Sequence, residues 1–185
     1  MELYFIIIKN NFKRGNAMRE KTVCFSGHRP AKLPFKGDTN APETKILISM
    51  IYKEIQNSID EGYDTFITGV AKGVDLWAGS LVADIKSTSP EIKLISAVPY
   101  KSYGVKWKGT DKWNLSYVMQ KSDKIYYVCD EYSKICMKKR NEYMVDNSSK
   151  LIAVINDYKS GTGQTIRYAK KNNLKIKIIK PIFNV

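Results

Sequence analysis

The chain has 185 residues, 43% hydrophobic and 26% charged, which leaves room for one α/β domain with a sizeable core and excludes both two independent domains and large-scale disorder. Thirty-one Lys and Arg against 18 Asp and Glu give a formal charge of +13, a surface attractive to phosphate of any sequence. Cys24, Cys129 and Cys136 are widely spaced and form no CxxC pair, so they signal neither a disulfide framework nor a zinc site and fit a reducing cytoplasm.

Residues 1–20 are set apart as an N-terminal extension. Their apolar run, Leu3 to Ile8, is too short to cross a bilayer and lacks a basic start and a cleavage site. It is either an appended edge strand or an upstream segment ahead of a patterned sequence that starts after Met18. No membrane contact is expected.

Residues 21–185 are expected to fold as one domain. Thr22 to Ser26 predicts the first strand, and the following loop holds Pro30, Pro34 and Pro42 and cannot be a regular helix. Glu43 to Glu61 predicts a helix with Ile46, Ile48, Ile51, Ile55 and Ile59 on its apolar side and Gly62 at its end. Asp64 to Gly69 is the second strand and Val74 to Lys86 the helix after it. Ile92 to Tyr100, Lys124 to Cys129, Leu151 to Asp157 and Leu174 to Lys180 are the remaining strands. Lys112 to Lys121, Met137 to Asn147 and Thr165 to Asn173 are the helices between them. The strands lack strict polar alternation, as when helices cover both faces, so the pattern predicts a doubly wound, mostly parallel sheet.

In such a sheet, ligands bind beyond the carboxyl ends of the strands. Gly27, His28 and Arg29 follow the first strand, and Gly69 and Gly73 frame the turn after the second. Arg140 and Asn141 lie on the helix after the fourth, and Gly161, Thr162 and Gly163 precede the last helix. A glycine turn that opens a helix offers unpaired N–H groups and the positive end of the dipole, an anion site. Two such turns suit a pyrophosphate or a nucleotide 5′-phosphate, with Arg29 and Arg140 as bidentate partners; the plainer alternative for Arg140 is a helix-face salt bridge. Asp75 is either a ribose ligand or an ordinary first-turn acid, and His28 either a proton carrier or a hydrogen-bonding group. Trp77 is assigned to the core, while Trp107 and Trp113 either cover a base or pack elsewhere. Lysines scattered on solvated helix faces account for most of the charge. The acid-free run Arg167, Lys170, Lys171, Lys175, Lys177 and Lys180 is the candidate polyanion patch.

Taken in order, "CFSGHRP", "ITGVAKGVDLWAG", "KKRNEYMVDNSSKLIAV" and "SGTGQTIRYAKK" resemble the SLOG superfamily, most closely its YpsA-like branch, over roughly Lys21 to Lys180. The resemblance implies a Rossmann-like fold whose crest takes nucleotides or nucleotide-derived ligands, NAD- and ADP-ribose-like molecules or cyclic nucleotides among them. It therefore implies a protein that senses or sequesters such a ligand, with no required cofactor, no metal and no assigned catalytic residue. Homo-oligomerisation stays open. A neighbouring branch, the Lonely Guy phosphoribohydrolases, cuts the base from nucleoside monophosphates and carries a catalytic Glu just after its glycine turn. Here Gln164 and Thr165 stand at that place, and an amide stabilises a cationic ribosyl transition state far less than a carboxylate. Asp75 or Glu142 would have to substitute for it. A third relative, DprA, binds single-stranded DNA, and the basic charge keeps nucleic acid as a secondary partner. The chain shows no row of aromatics interleaved with Arg of the kind stacking platforms use.

Overall fold

A computed structural model describes residues 18–181. The N-terminal extension set apart above therefore lies outside the described residues, apart from residues 18–20. Those three form a helical turn held to the residues just ahead of the strand Lys150–Val154, Arg19 Nε donating to the Ser148 carbonyl at 3.2 Å and Ser149 Oγ to that of Glu20 at 2.7 Å.

From there the chain alternates strand and helix. β1 is Thr22–Gly27, α1 Pro42–Asp60, β2 Thr65–Thr68, α2 Val74–Thr88, β3 Lys93–Tyr100, α3 Gly109–Lys121, β4 Lys124–Cys129, α4 Cys136–Asp146, β5 Lys150–Val154, α5 Gly161–Lys171 and β6 Lys175–Ile179. The proline loop forms two 3₁₀ turns, Pro30–Lys32 and Pro34–Gly37, and Pro42 takes the first turn of α1, where its missing N–H costs nothing. α1 buries Leu47, Ile51, Ile55 and Ser58, while Ile46, expected on the apolar side, is 48% exposed. The four-residue spacing of Leu47, Ile51 and Ile55 sets the buried stripe, and Ile46 falls about 100° away from Leu47.

The six strands form one parallel sheet in the order β4-β3-β2-β1-β5-β6. The expected doubly wound Rossmann-like fold is present, with parallel pairing throughout. From β1 the chain steps outward through β2 and β3 to β4, then returns to the other side of β1 for β5 and β6. Successive residues of β1 serve opposite faces. Val23 and Phe25 join the core that includes Leu47, Ile51, Trp77 and Val82, whereas Cys24 joins Met144, Val145, Ile166 and Ala169 of α4 and α5. Burial pushes the Cys24 thiol up to about 12, which leaves it an inert packing group. Among the described residues no helix is long and apolar enough to cross a membrane.

Because the winding reverses between β1 and β5, the connections that leave their carboxyl ends diverge and open a crevice. The register sets Gly27 directly opposite Val154, so the segments after Gly27 and Val154 form its two walls.

Candidate functional site

A cleft of about 460 Å³ occupies that crevice. Of the residues singled out in the sequence, Gly27, His28, Arg29, Asp75, Arg140, Asn141, Gly161 and Thr162 line it, contributed by four separate chain segments. Gly69, Gly73 and Gly163 do not. Each of these three has an intramolecular reason to be glycine. A Cβ on Gly69 would meet the Arg140 guanidinium. One on Gly73, whose φ is +86°, would lie 2.9 Å from the His28 carbonyl oxygen, and one on Gly163 would run into the Tyr158 backbone. Gly27 also carries a packing constraint, since a Cβ there would meet the Val74 side chain. Only Gly161 of this set faces open space.

The expected anion cradle at the β2–α2 turn is filled by the protein itself. The Asp75 carboxylate, on the first turn of α2, accepts from the Ala71 backbone N–H and from Arg140 Nη1 at 3.0 Å. Both side chains are 6% exposed. Burial pushes the Asp75 carboxyl upward, and the guanidiniums of Arg140 and Arg29 oppose that shift. Asp75 is thus a first-turn acid of α2 held in a buried ion pair, and Arg140 makes that pair instead of a helix-face one. Arg140 Nη1 also donates to the Gly69 carbonyl, while its Nε is buried with no hydrogen-bond partner among the described residues. One orphaned donor thus lies on a residue that borders the cleft.

The β5–α5 turn, in contrast, stays open. Ser160 caps α5, its Oγ accepting from the Gly163 N–H at 3.3 Å and donating to the Asp157 carbonyl at 2.5 Å. That leaves the first-turn N–H groups of Gly161 and Thr162 without an intrahelical acceptor at the cleft wall. Across from them Arg29 is exposed at the rim and, among the described residues, faces no carboxylate within ion-pair distance. Lys32 also lines the cleft and pairs with Asp157 across it at 2.6 Å, an exposed contact of small worth. Among the described residues no cluster of three or more His, Cys, Asp or Glu is placed to hold a metal ion.

His28 closes the floor. It is 3% exposed, and its Nε2 accepts from the Asn156 N–H at 3.1 Å and from that of Asp157 at 3.3 Å. The ring is a buckle between the two walls, held neutral because an imidazolium would have no lone pair to offer. Burial and the nearby Lys32 push its pKa down. A depressed histidine leaves the unfolded chain binding more protons, so its contribution is complete above about pH 6.5 and is lost as pH falls toward the folded value. Chemical denaturation at several pH values should show this in the difference between the wild type and His28→Gln. That difference should grow less favourable below about pH 6.5, by at most about 1.4 kcal/mol per pH unit. A pH-independent difference would contradict the buckle.

Several cleft residues carried no earlier role. Lys32 comes three residues after Arg29 in the proline loop, and Ser160 has the signature of a helix cap immediately before a glycine turn. Among the tryptophans, Trp77 is buried, Trp107 packs under Lys72 with the ammonium 4.8 Å from its ring, and Trp113 is 64% exposed and stacked on Tyr117. None of the three lines the cleft.

A family model described as the YspA SLOG family matches residues 23–182. The chain is 35% identical over 133 residues to the SPbeta prophage-derived protein YoqJ of Bacillus subtilis (strain 168), covering 64% of this chain and 78% of that one. It is 22% identical over 159 residues to a UPF0398 protein of Bacillus cereus (strain B4264), covering 84% and 85% respectively. Among solved structures, DNA processing protein A (DprA) from Streptococcus pneumoniae superposes with a TM-score of 0.48 at 14% identity. That match covers 86% of this chain and 59% of the other, so the chain spans under two thirds of that protein's length.

Proposed function

Because the chain belongs to the YspA SLOG family, we propose that it is a ligand-recognition protein whose cleft between β1 and β5 binds a phosphorylated, nucleotide-derived molecule. NAD- and ADP-ribose-like compounds and cyclic nucleotides are the classes in view, with the protein sensing or sequestering one of them. The observation that carries this proposal is convergence: the glycine turn at Gly161, the rim cation Arg29 and Arg140, whose Nε is buried without a partner among the described residues, belong to segments far apart in sequence and border one cleft. A phosphate oxygen would accept from the Gly161 and Thr162 N–H groups at the positive end of α5. Arg29 would close over the phosphate from the opposite wall.

Hydrolysis of the ligand ranks second. Asp75 is the acid bordering the cleft nearest the role of the missing catalytic carboxylate, but it is already committed to Arg140 and the Ala71 N–H. Recognition without turnover is therefore the expected behaviour, and no free base should appear from AMP or NAD on long incubation.

Calorimetric titration with AMP, ADP-ribose, NAD and a cyclic dinucleotide tests the assignment. At least one should bind, and Arg29→Glu should weaken it about tenfold or more. Arg29 is exposed, so the variant should keep the wild-type melting profile. Folded protein that takes up none of the four would sink the proposal.

A further inference from the structure

Asn141 borders a second space besides the cleft. On the far side of that residue a groove of about 500 Å³ runs between α4 and α5, lined by Lys138, Glu142, Gln164, Arg167 and Lys171 with Asn141 itself. Asn141 is the one lining residue that the two spaces share, a sill between them. The sill is fixed from below: Asn141 Nδ2 donates to Thr165 Oγ1 at 3.0 Å, and Thr165 Oγ1 donates to the Gly161 carbonyl at 3.1 Å. Those bonds leave the Asn141 side-chain oxygen, Oδ1, as an acceptor at the step.

Charge in the groove is one-sided. Lys138, Arg167 and Lys171 face a single acid, Glu142, whose contact with Lys138 is a long 3.7 Å pair on one helix. α5 contains no acid at all, so Arg167 and Lys171, one turn apart, repel each other without compensation from their own helix. Arg167 is nonetheless held in place, its Nη1 donating to the Tyr158 carbonyl at 3.0 Å, which leaves its other N–H groups uncommitted to that bond. Cationic side chains thus lie on both sides of a polar sill, Arg29 in the cleft and Arg167 and Lys171 in the groove.

Building on the nucleotide assignment of the cleft, we propose that the α4–α5 groove is a second phosphate subsite, and that the ligand carries phosphates on both sides of one ribose. One phosphate sits at Gly161 and Arg29. The ribose crosses at Asn141, a hydroxyl donating to Asn141 Oδ1, and the second phosphate meets Arg167 and Lys171. This chemistry exists both in a free nucleoside 3′,5′-bisphosphate and at the first step of a 5′-phosphorylated strand.

Titrations at about 0.15 M salt with AMP, adenosine 3′,5′-bisphosphate and the 5′-phosphorylated dinucleotide pApA test this. The bisphosphate should bind the wild type about tenfold more tightly than AMP. The double variant Arg167→Glu/Lys171→Glu, which changes two exposed side chains, should lose that advantage while AMP affinity stays within about twofold and the melting profile is kept. A dinucleotide as tight as the bisphosphate identifies a strand as the source, and a weaker one identifies the free nucleotide; both support the subsite. Equal affinity of wild type for AMP and the bisphosphate overturns it while leaving the cleft assignment intact, and so does a charge reversal that weakens both ligands alike. Failure of all three ligands to bind overturns the subsite, and the cleft assignment falls with it only if ADP-ribose, NAD and the cyclic dinucleotide also fail to bind.

Discussion

Arg140→Ala is expected to destabilise the protein by about 3 to 5 kcal/mol, the cost of stranding a buried charge whose partner has been removed. Asp75 has little solvent to turn to: its side chain is 6% exposed, and the donor left to it is the Ala71 N–H. At 185 residues this corresponds to a fall of roughly 10 °C in Tm. The variant carries its own signature in pH. Without the guanidinium, burial drives the Asp75 carboxyl further up, so the folded state holds a proton that the unfolded state has lost. Stability of that kind is present at low pH and disappears as pH rises through the folded value, so the deficit relative to wild type should shrink on acidification. Adding Asp75→Asn should recover part of the loss at neutral pH by removing the stranded charge. Urea denaturation of the single and double variants at two pH values decides the matter. A loss under about 1 kcal/mol, or one independent of pH, would mean that the pair is not the keystone of the cleft wall.

The second large effect separates two glycines two positions apart. Gly163→Ala places a methyl against the backbone carbonyl of Tyr158, which cannot yield without moving the loop that also bears Asp157 and the N–H groups bound to His28. Overpacking of this kind costs about 1 to 3 kcal/mol, and the helix-propensity gain of alanine, up to about 1 kcal/mol, offsets only part of it. Gly161→Ala meets nothing within 4 Å and should stay within about 0.5 kcal/mol of wild type. Thermal melts of the two variants side by side give the comparison. Equal behaviour would show that the packing at Tyr158 is looser than described.

The contrast between these glycines marks where sequence stops being informative. The alternation of β-rich runs with amphipathic segments was enough for the doubly wound sheet, because periodicity is a local property. The strand ends were legible for the same reason, and with them the crest to which Gly27, Arg29, Arg140 and Gly161 belong. Which glycine meets a ligand and which meets the protein is a long-range fact. Gly69 is glycine because of Arg140, 71 positions later, and Gly73 because of the His28 carbonyl, 45 positions earlier. No spacing rule connects them. The partner of Asp75 was hidden in the same way: an acid on the first turn of a helix already satisfies the dipole, so nothing local hints that a buried arginine from another segment completes it. His28 likewise reads as a free loop histidine until β5 is laid beside β1 and the Asn156 and Asp157 N–H groups arrive at its ring.

The function proposed for the cleft requires an anionic nucleotide seated against the open first turn of α5. Backbone ¹⁵N chemical-shift mapping during titration with adenosine 3′,5′-bisphosphate tests it most directly. The amides of Gly161 and Thr162 should shift most, together with those of Arg29 and Asn141, while the amides of the closed β2–α2 turn should move little. Saturable shifts confined to surfaces away from these residues, or none at all in the folded protein, would contradict it.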